Sequence, residues 1–177
     1  MKDIIKPIVV LASICLVVTA LLAYVNMVTA PIIKKAQDKE ASQARSEVLK
    51  EAKSFEQLNI DKLPDGVTEV YKGSDNSGYV FMLTTKGYGG DIKLICGIKP
   101  DGSIEAVKTL LHGETKGIGS KVMDNESGYH DNYIGKTKDT YSDVDNVSGA
   151  TISSKAYKKA MEAAFEAFEI VTGGAKQ

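Results

Sequence analysis

Residues 67–111 read VTEVYKGSDNSGYVFMLTTKGYGGDIKLICGIKPDGSIEAVKTLL, and the fold turns on this stretch. Four runs rich in β-branched, aromatic and other apolar residues, bounded by turn residues, predict strands over residues 67–71, 78–84, 91–98 and 104–111. Turn residues separate them: Ser74-Asp75-Asn76-Ser77, Gly87-Tyr88-Gly89-Gly90 and Lys99-Pro100-Asp101-Gly102. The last two runs form a hairpin, and connections this short favour an antiparallel sheet. No Gly-x-Gly-x-x-Gly follows a strand and no strand–helix alternation occurs, so a nicotinamide-binding sheet is not indicated.

Downstream, residues 153–171 carry a helical stripe of Tyr157, Met161, Ala164, Phe165, Phe168 and Val171, with Lys158, Glu162 and Glu169 opposite. Ser153 or Ser154 is the expected cap. A helix buried on one face of an antiparallel sheet makes the expected class α+β.

Two constellations can carry chemistry. The first is Asp145-Asn146-Val147-Ser148-Gly149-Ala150-Thr151. Gly149 permits backbone angles closed to other residues, Ala150 leaves the Thr151 hydroxyl room, and a helix start nearby favours an anion there. A plain turn into a capped helix reads the same residues equally simply. The second is the loop His112-Gly113-Glu114-Thr115-Lys116-Gly117-Ile118-Gly119-Ser120-Lys121, whose glycines expose backbone amides and allow close approach to a planar ring. Alone it is also readable as a wide turn.

At the other end, residues 8–28 are almost wholly apolar, with Asn26 the strongly polar exception, and at the helical rise they extend about 30 Å, enough to span a bilayer. Neither Val28-Thr29-Ala30 nor the region before Cys15 makes a convincing cleavage site, so an uncleaved anchor is expected. Lys2 and Lys6 precede the span while Lys34, Lys35 and Lys39 follow it, so charge counting points against export. Large domains translocate with little regard to such charges, and the bulk of the chain is expected outside the cytoplasm. Residues 34–55 read as a juxtamembrane helix with the thin stripe Ala41, Ala44, Val48, Ala52 and Phe55. It spaces the domain from the bilayer, docks on a partner, or packs on the domain's edge. The expected segments are 1–30 (anchor), 31–58 (juxtamembrane helix) and 59–177 (ligand-binding domain).

The 177 residues carry 22 Lys and Arg against 23 Asp and Glu, a net charge of −1, so no basic footprint for nucleic acid exists. With 2 Cys and 2 His, one cysteine inside the apolar span, neither a disulfide nor a resident metal site is expected.

Taken together, the N-terminal span followed by Thr29-Ala30-Pro31-Ile32, the Gly87-Tyr88-Gly89-Gly90 turn, the His112-x-Glu114-Thr115-x-Gly117-Ile118-Gly119 loop and Asp145-x-x-Ser148-Gly149-Ala150-Thr151 resemble the G subunit of Rnf-type ion-translocating electron transport complexes. That family is related to the C subunit of sodium-pumping NADH:quinone reductase. The resemblance implies FMN joined through a phosphoester to Thr151, installed from FAD by a magnesium-dependent flavin transferase for which Asp145 and Ser148 serve recognition. It also implies that Glu114, Thr115, Gly117, Ile118 and Gly119 line the ring system, with Tyr88, Gly89 and Gly90 nearby and Gly149 and Ala150 beside the attachment point. Lys116 replaces the proline common at its place, which would loosen the loop or set a positive charge near the flavin.

The implied function is electron relay among neighbouring membrane and peripheral subunits during ferredoxin–NAD oxidoreduction coupled to Na+ or H+ export, with no complete reaction by this chain alone. Two other classes fit parts of the sequence: an anchored extracytoplasmic FMN-binding sensor, and a flavin-free anchored binding domain.

Overall fold

The structure, a computed structural model, describes residues 2–173; residue 1 and residues 174–177, the outer ends of the first and last expected segments, lie outside it. Cα packing separates two units, Met1–Glu40 and Ala41–Gln177.

Helix α1 runs unbroken over Lys2–Val48 and continues through Pro7 and Pro31. It is the one helix among the described residues long and apolar enough to cross a membrane. Ile8, Leu11, Leu16, Leu22 and Val25 are all exposed on it, which suits a lipid-facing surface. Two hydroxyls within it return to the helix backbone: Ser13 donates to the Val9 carbonyl and Thr29 to that of Val25. Neither hydroxyl there needs water.

The second unit is built on a five-stranded antiparallel sheet in sequential order, β1 (Phe55–Leu58), β2 (Val67–Gly73), β3 (Tyr79–Lys86), β4 (Asp91–Ile98) and β5 (Ile104–Leu111). The α+β class is therefore observed, with the long C-terminal helix α3 (Thr151–Gly173) against the sheet. Strand parity divides the side chains. Phe81, Leu83, Ile92, Leu94, Cys96 and Ile98 join Tyr157, Met161, Ala164 and Phe165 of α3 in the main core. Val80 and Ile95 point to the opposite face, where Ala44, Val48, Leu49 and Ala52 cover them. Both faces being covered explains why β4 reads as a nearly continuous apolar run.

Helix termination and one strand differ from expectation. The helix expected to reach Phe55 stops at Val48, and Phe55 opens β1, paired with Gly73. Beyond the helix end the Lys50 amide donates to a Glu105 carboxylate oxygen at 3.2 Å, and the Ser74 hydroxyl, on the turn after β2, accepts the Lys53 and Ser54 amides at 3.0 and 3.3 Å. Those donors are thereby turned away from helix and into a strand. Arg45, one turn before the helix end, lies 4.2 Å from the Tyr71 ring centroid in a cation–π contact. The β4–β5 turn forms as the sequence indicates. Pro100 and Asp101 fill its corner, Gly102 takes φ +84, and the Ser103 hydroxyl and amide hold the Asp101 carboxyl below its usual range.

The main core also holds an aromatic cluster. Tyr133 stacks on Tyr157 at 5.0 Å between centroids, and Tyr129 meets Tyr157 edge-on at 5.6 Å. Burial drives the Tyr157 phenol and the Cys96 thiol well above their ordinary pKa values, so both stay neutral. The Tyr157 hydroxyl is buried without a hydrogen-bond partner among the described residues. Tyr157→Phe removes that unsatisfied group and keeps the ring contacts. It is expected to stabilise the domain by about 1 kcal/mol, read as a higher urea midpoint at unchanged slope.

Candidate functional site

The site begins at the N-terminus of α3. Gly149 adopts φ +80, and the Ala150 amide donates to the Val147 carbonyl at 2.9 Å, folding residues 147–150 into a tight turn. Ser154 then donates its amide to the Ala150 carbonyl at 2.9 Å, so helical bonding starts at Ala150, three residues before the first expected cap, Ser153. Ser153 and Ser154 consequently lie inside the first turn and are not caps. Ser154 Oγ accepts the Val147 amide at 3.0 Å and pins the preceding turn to the helix. Thr151 becomes the first helical residue and stays exposed. In that first turn the amides of Thr151, Ile152 and Ser153 have no helical carbonyl to pair with and bear the positive end of the helix dipole.

The loop after β5 supplies the facing wall. Glu114 is its pivot: Oε1 accepts the Gly89 amide at 2.9 Å, and Oε2 accepts the Ser153 hydroxyl at 2.6 Å. One carboxylate thus joins the β3–β4 turn, the post-β5 loop and the start of α3. Glycine is required around it. A Cβ on Gly119 would stand 2.8 Å from both Glu114 Cβ and Ser153 Oγ, and one on Gly87 would meet the Glu114 carboxyl carbon at 3.1 Å. A Cβ on Gly89 would press on the Gly113 backbone, 2.5 Å from its carbonyl carbon.

Behind the pivot, the Glu114 amide donates to His112 Nδ1 at 3.3 Å. His112 Nε2 faces Asp124 Oδ1 at 2.9 Å. The remainder of the loop closes on itself, with the Gly117 amide on Ser120 Oγ at 2.9 Å and the Ile118 amide on the Thr115 carbonyl at 3.1 Å, leading into the short helix α2 (Ser120–Met123).

Between these walls lies a cleft of about 420 Å³ lined by Tyr88, Glu114, Thr115, Ile118, Gly119, Gly149, Ala150, Thr151, Ile152 and Ser153. That volume falls in the range of small-molecule sites. The two sequence constellations therefore meet in space. Three large apolar side chains from three separate segments, Tyr88, Ile118 and Ile152, stand exposed at its rim at 74, 53 and 55 %. A planar aromatic ring system with a phosphate tail fits this surface: apolar side chains for the rings, free amides and an exposed hydroxyl at the helix start for the phosphate.

Several residues singled out in the sequence lie elsewhere. Gly89, Gly90 and Gly117 shape the walls without lining the cleft. Ser148 lies within the 147–150 turn, exposed and off the cleft wall. Asp145 borders a different depression, with Asn132, Lys136 and Asn146, and its carbonyl accepts the Tyr129 hydroxyl at 3.0 Å. Lys116 is exposed and off the cleft wall. Conversely, Ile152 and Ser153 line the cleft without having been singled out for it. Their signal was position alone, in the helical turn that begins at Thr151.

Residues 87–166 match the family model of the FMN-binding domain, and residues 1–48 match that of the RnfG N-terminal region. Among curated proteins, the G subunit of the ion-translocating oxidoreductase complex of Methanosarcina acetivorans is 34% identical, covering 93% of this chain and 94% of that protein. The G subunit of the proton-translocating ferredoxin:NAD(+) oxidoreductase complex of Clostridium ljungdahlii is 27% identical over 90% of this chain and 89% of its own length. The G subunit of the Na(+)-translocating ferredoxin:NAD(+) oxidoreductase complex of Acetobacterium woodii is 29% identical over 84 and 83%. The matched FMN-binding segment opens at the hairpin glycines and extends into α3, so it contains both walls of the cleft. With an apolar first helix ahead of that domain and near full-length similarity, the chain belongs to the family of G subunits of the Rnf-type ion-translocating oxidoreductase complexes.

Proposed function

We propose that this chain is the FMN-carrying electron-transfer subunit of a membrane complex that couples ferredoxin–NAD oxidoreduction to Na+ or H+ translocation, with the flavin joined to Thr151 through a phosphoester. The observation that carries the linkage is the Thr151 hydroxyl: exposed, first in α3, and opening into the one cleft where both glycine-rich segments meet. Both ions stand in the proposal because relatives named for proton and for sodium translocation are 27 and 29% identical to this chain.

In the attachment step the Thr151 oxygen attacks the flavin-side phosphorus of FAD. The new O–P bond forms as the P–O–P bridge breaks, AMP leaves, and the hydroxyl proton is lost to the transferase. After attachment, the phosphodiester keeps one negative charge. The unpaired amides of Ile152 and Ser153 and the helix dipole favour it at that point. Ala150 and Gly149 leave the hydroxyl accessible to an enzyme, and the exposed Asp145 and Ser148 offer it a recognition surface on the preceding loop. Bound there, FMN supplies the electron-carrying chemistry that no side chain of this protein offers. Tyr88, Ile118 and Ile152 hold the ring system by apolar contact, and Glu114 fixes the walls.

The apolar part of α1 anchors the chain in the membrane beside the other subunits, with the second unit outside the cytoplasm. A covalent bond suits that location, because a dissociable flavin would be lost by dilution there.

The test is to co-express the full chain with a flavin transferase and digest it with trypsin. Flavin fluorescence and the FMN mass increment are expected on the single peptide spanning residues 139–155, which contains Thr151. Flavin on another peptide, or none beside a control substrate that is labelled, would overturn the linkage.

A further inference from the structure

The sequence directs attention to Lys116 as a charge beside the flavin, but Lys116 is exposed and off the cleft wall. The charged side chain that does line the cleft is Glu114. Its two oxygens both accept, one from the Gly89 amide at 2.9 Å and one from the Ser153 hydroxyl at 2.6 Å, the pattern of a carboxylate. Gly87 and Gly119 close around it so tightly that any side chain on either would collide with it. No Lys or Arg is paired with it among the described residues: the ion pairs present are Lys108–Glu47, His112–Asp124, His130–Asp131 and Lys138–Glu169. A carboxylate held by two dipoles but by no counter-ion keeps its net negative charge, which the donors spread without cancelling, and in a partly desolvated wall that charge is felt across the cleft.

We infer that Glu114, a positioning residue that joins the three segments forming the FMN cleft, also acts as a fixed unneutralised negative charge that lowers the reduction potential of the flavin held there. The inference rests on the reading that FMN occupies this cleft. The sign follows from charge alone. Adding electrons to the flavin increases negative charge beside a fixed negative group, which disfavours reduction.

The two hydrogen bonds make the inference separable from a structural role. Glu114→Gln removes the charge and keeps an acceptor oxygen. Ser153→Ala keeps the charge and removes one of the donors that spread it. The two variants therefore move the potential in opposite directions, whereas mere loosening of the cleft moves both the same way. Flavin-loaded full-length protein in detergent is poised at one fixed potential with reference dyes, and the ratio of reduced to oxidised flavin is read from the absorbance spectrum.

E114Q is expected to raise that ratio about threefold or more, and S153A to lower it. An unchanged or lowered ratio in E114Q, or shifts of the same sign in both variants, would overturn the inference. Where E114Q takes up no flavin, S153A decides alone: a ratio that does not fall overturns it. Failure of the underlying reading is distinguishable, because wild-type protein would then carry no flavin before any variant is compared, and the inference would fall with it.

Discussion

Thr151→Ala yields a folded protein from which the flavin band is absent after denaturing electrophoresis, while wild type co-expressed with a flavin transferase fluoresces. The loss is expected to be complete, because a phosphoester needs an oxygen on Cβ and the change removes the only hydroxyl at that position. Neighbouring hydroxyls do not substitute. Ser153 donates to Glu114 and Ser154 accepts from Val147, and both are buried. Ser148 sits inside the 147–150 turn and does not line the cleft.

Stability is expected to change by no more than about 0.5 kcal/mol, since Thr151 is exposed and its side chain makes no hydrogen bond among the described residues. Thr151→Ser separates chemistry from shape: it keeps the oxygen and drops one methyl, so labelling persists at reduced yield. Circular dichroism and the urea midpoint check that all three proteins are equally folded. A fluorescent T151A band would place the attachment elsewhere.

What the sequence made legible divides along the line between local and long-range causes. The β4–β5 hairpin was readable because Pro100-Asp101-Gly102 is turn chemistry complete in itself, satisfied by Ser103 two residues on from Asp101. The core face of α3 was readable because its period is a property of one helix. Strand β1 was not. Phe55-Glu56-Gln57-Leu58 carries no strand signature, and the hydroxyl that takes the amides leading into it comes from Ser74, 20 to 21 positions away.

The site shows the same division. Gly149 and Thr151 announce a turn and an exposed hydroxyl locally. The role of Glu114 depends on Gly89 and Ser153, 25 and 39 positions distant, and no spacing rule links three such segments. Serines at a helix start read as caps; here the preceding turn extends the helix backward and frees Ser153 for Glu114.

The same reasoning makes Gly97→Ala a damaging small change in the fold. Gly97 sits within β4, paired with Val80 on β3 and Ala106 on β5, and its parity places it on the face that the end of α1 covers. Its backbone is not in the left-handed region, so nothing about conformation demands glycine; the demand is steric. A Cβ there would collide with the Val48 carbonyl oxygen and stand 2.7 Å from the Val48 carbonyl carbon. Neither partner is a side-chain tip that can swing away, so the end of α1 must lift. Val48, Leu49 and Ala52, all buried, then lose contact with Val80 and Ile95.

Overpacking against backbone lies at the upper end of such costs, about 3 kcal/mol, a large fraction of the stability of a domain this size. Gly102→Ala is the control. It strains a φ of +84 but meets only Phe168 at 3.6 Å, so about 1 kcal/mol is expected. Urea unfolding of the full chain in detergent ranks the two. G97A falling no lower than G102A would mean that the end of α1 does not press on the sheet. G97A protein that is labelled by the transferase in the cold yet unfolds early would assign the loss to this face alone, since the cleft at Thr151 is built from α3, which packs on the other face, and the loops beside it.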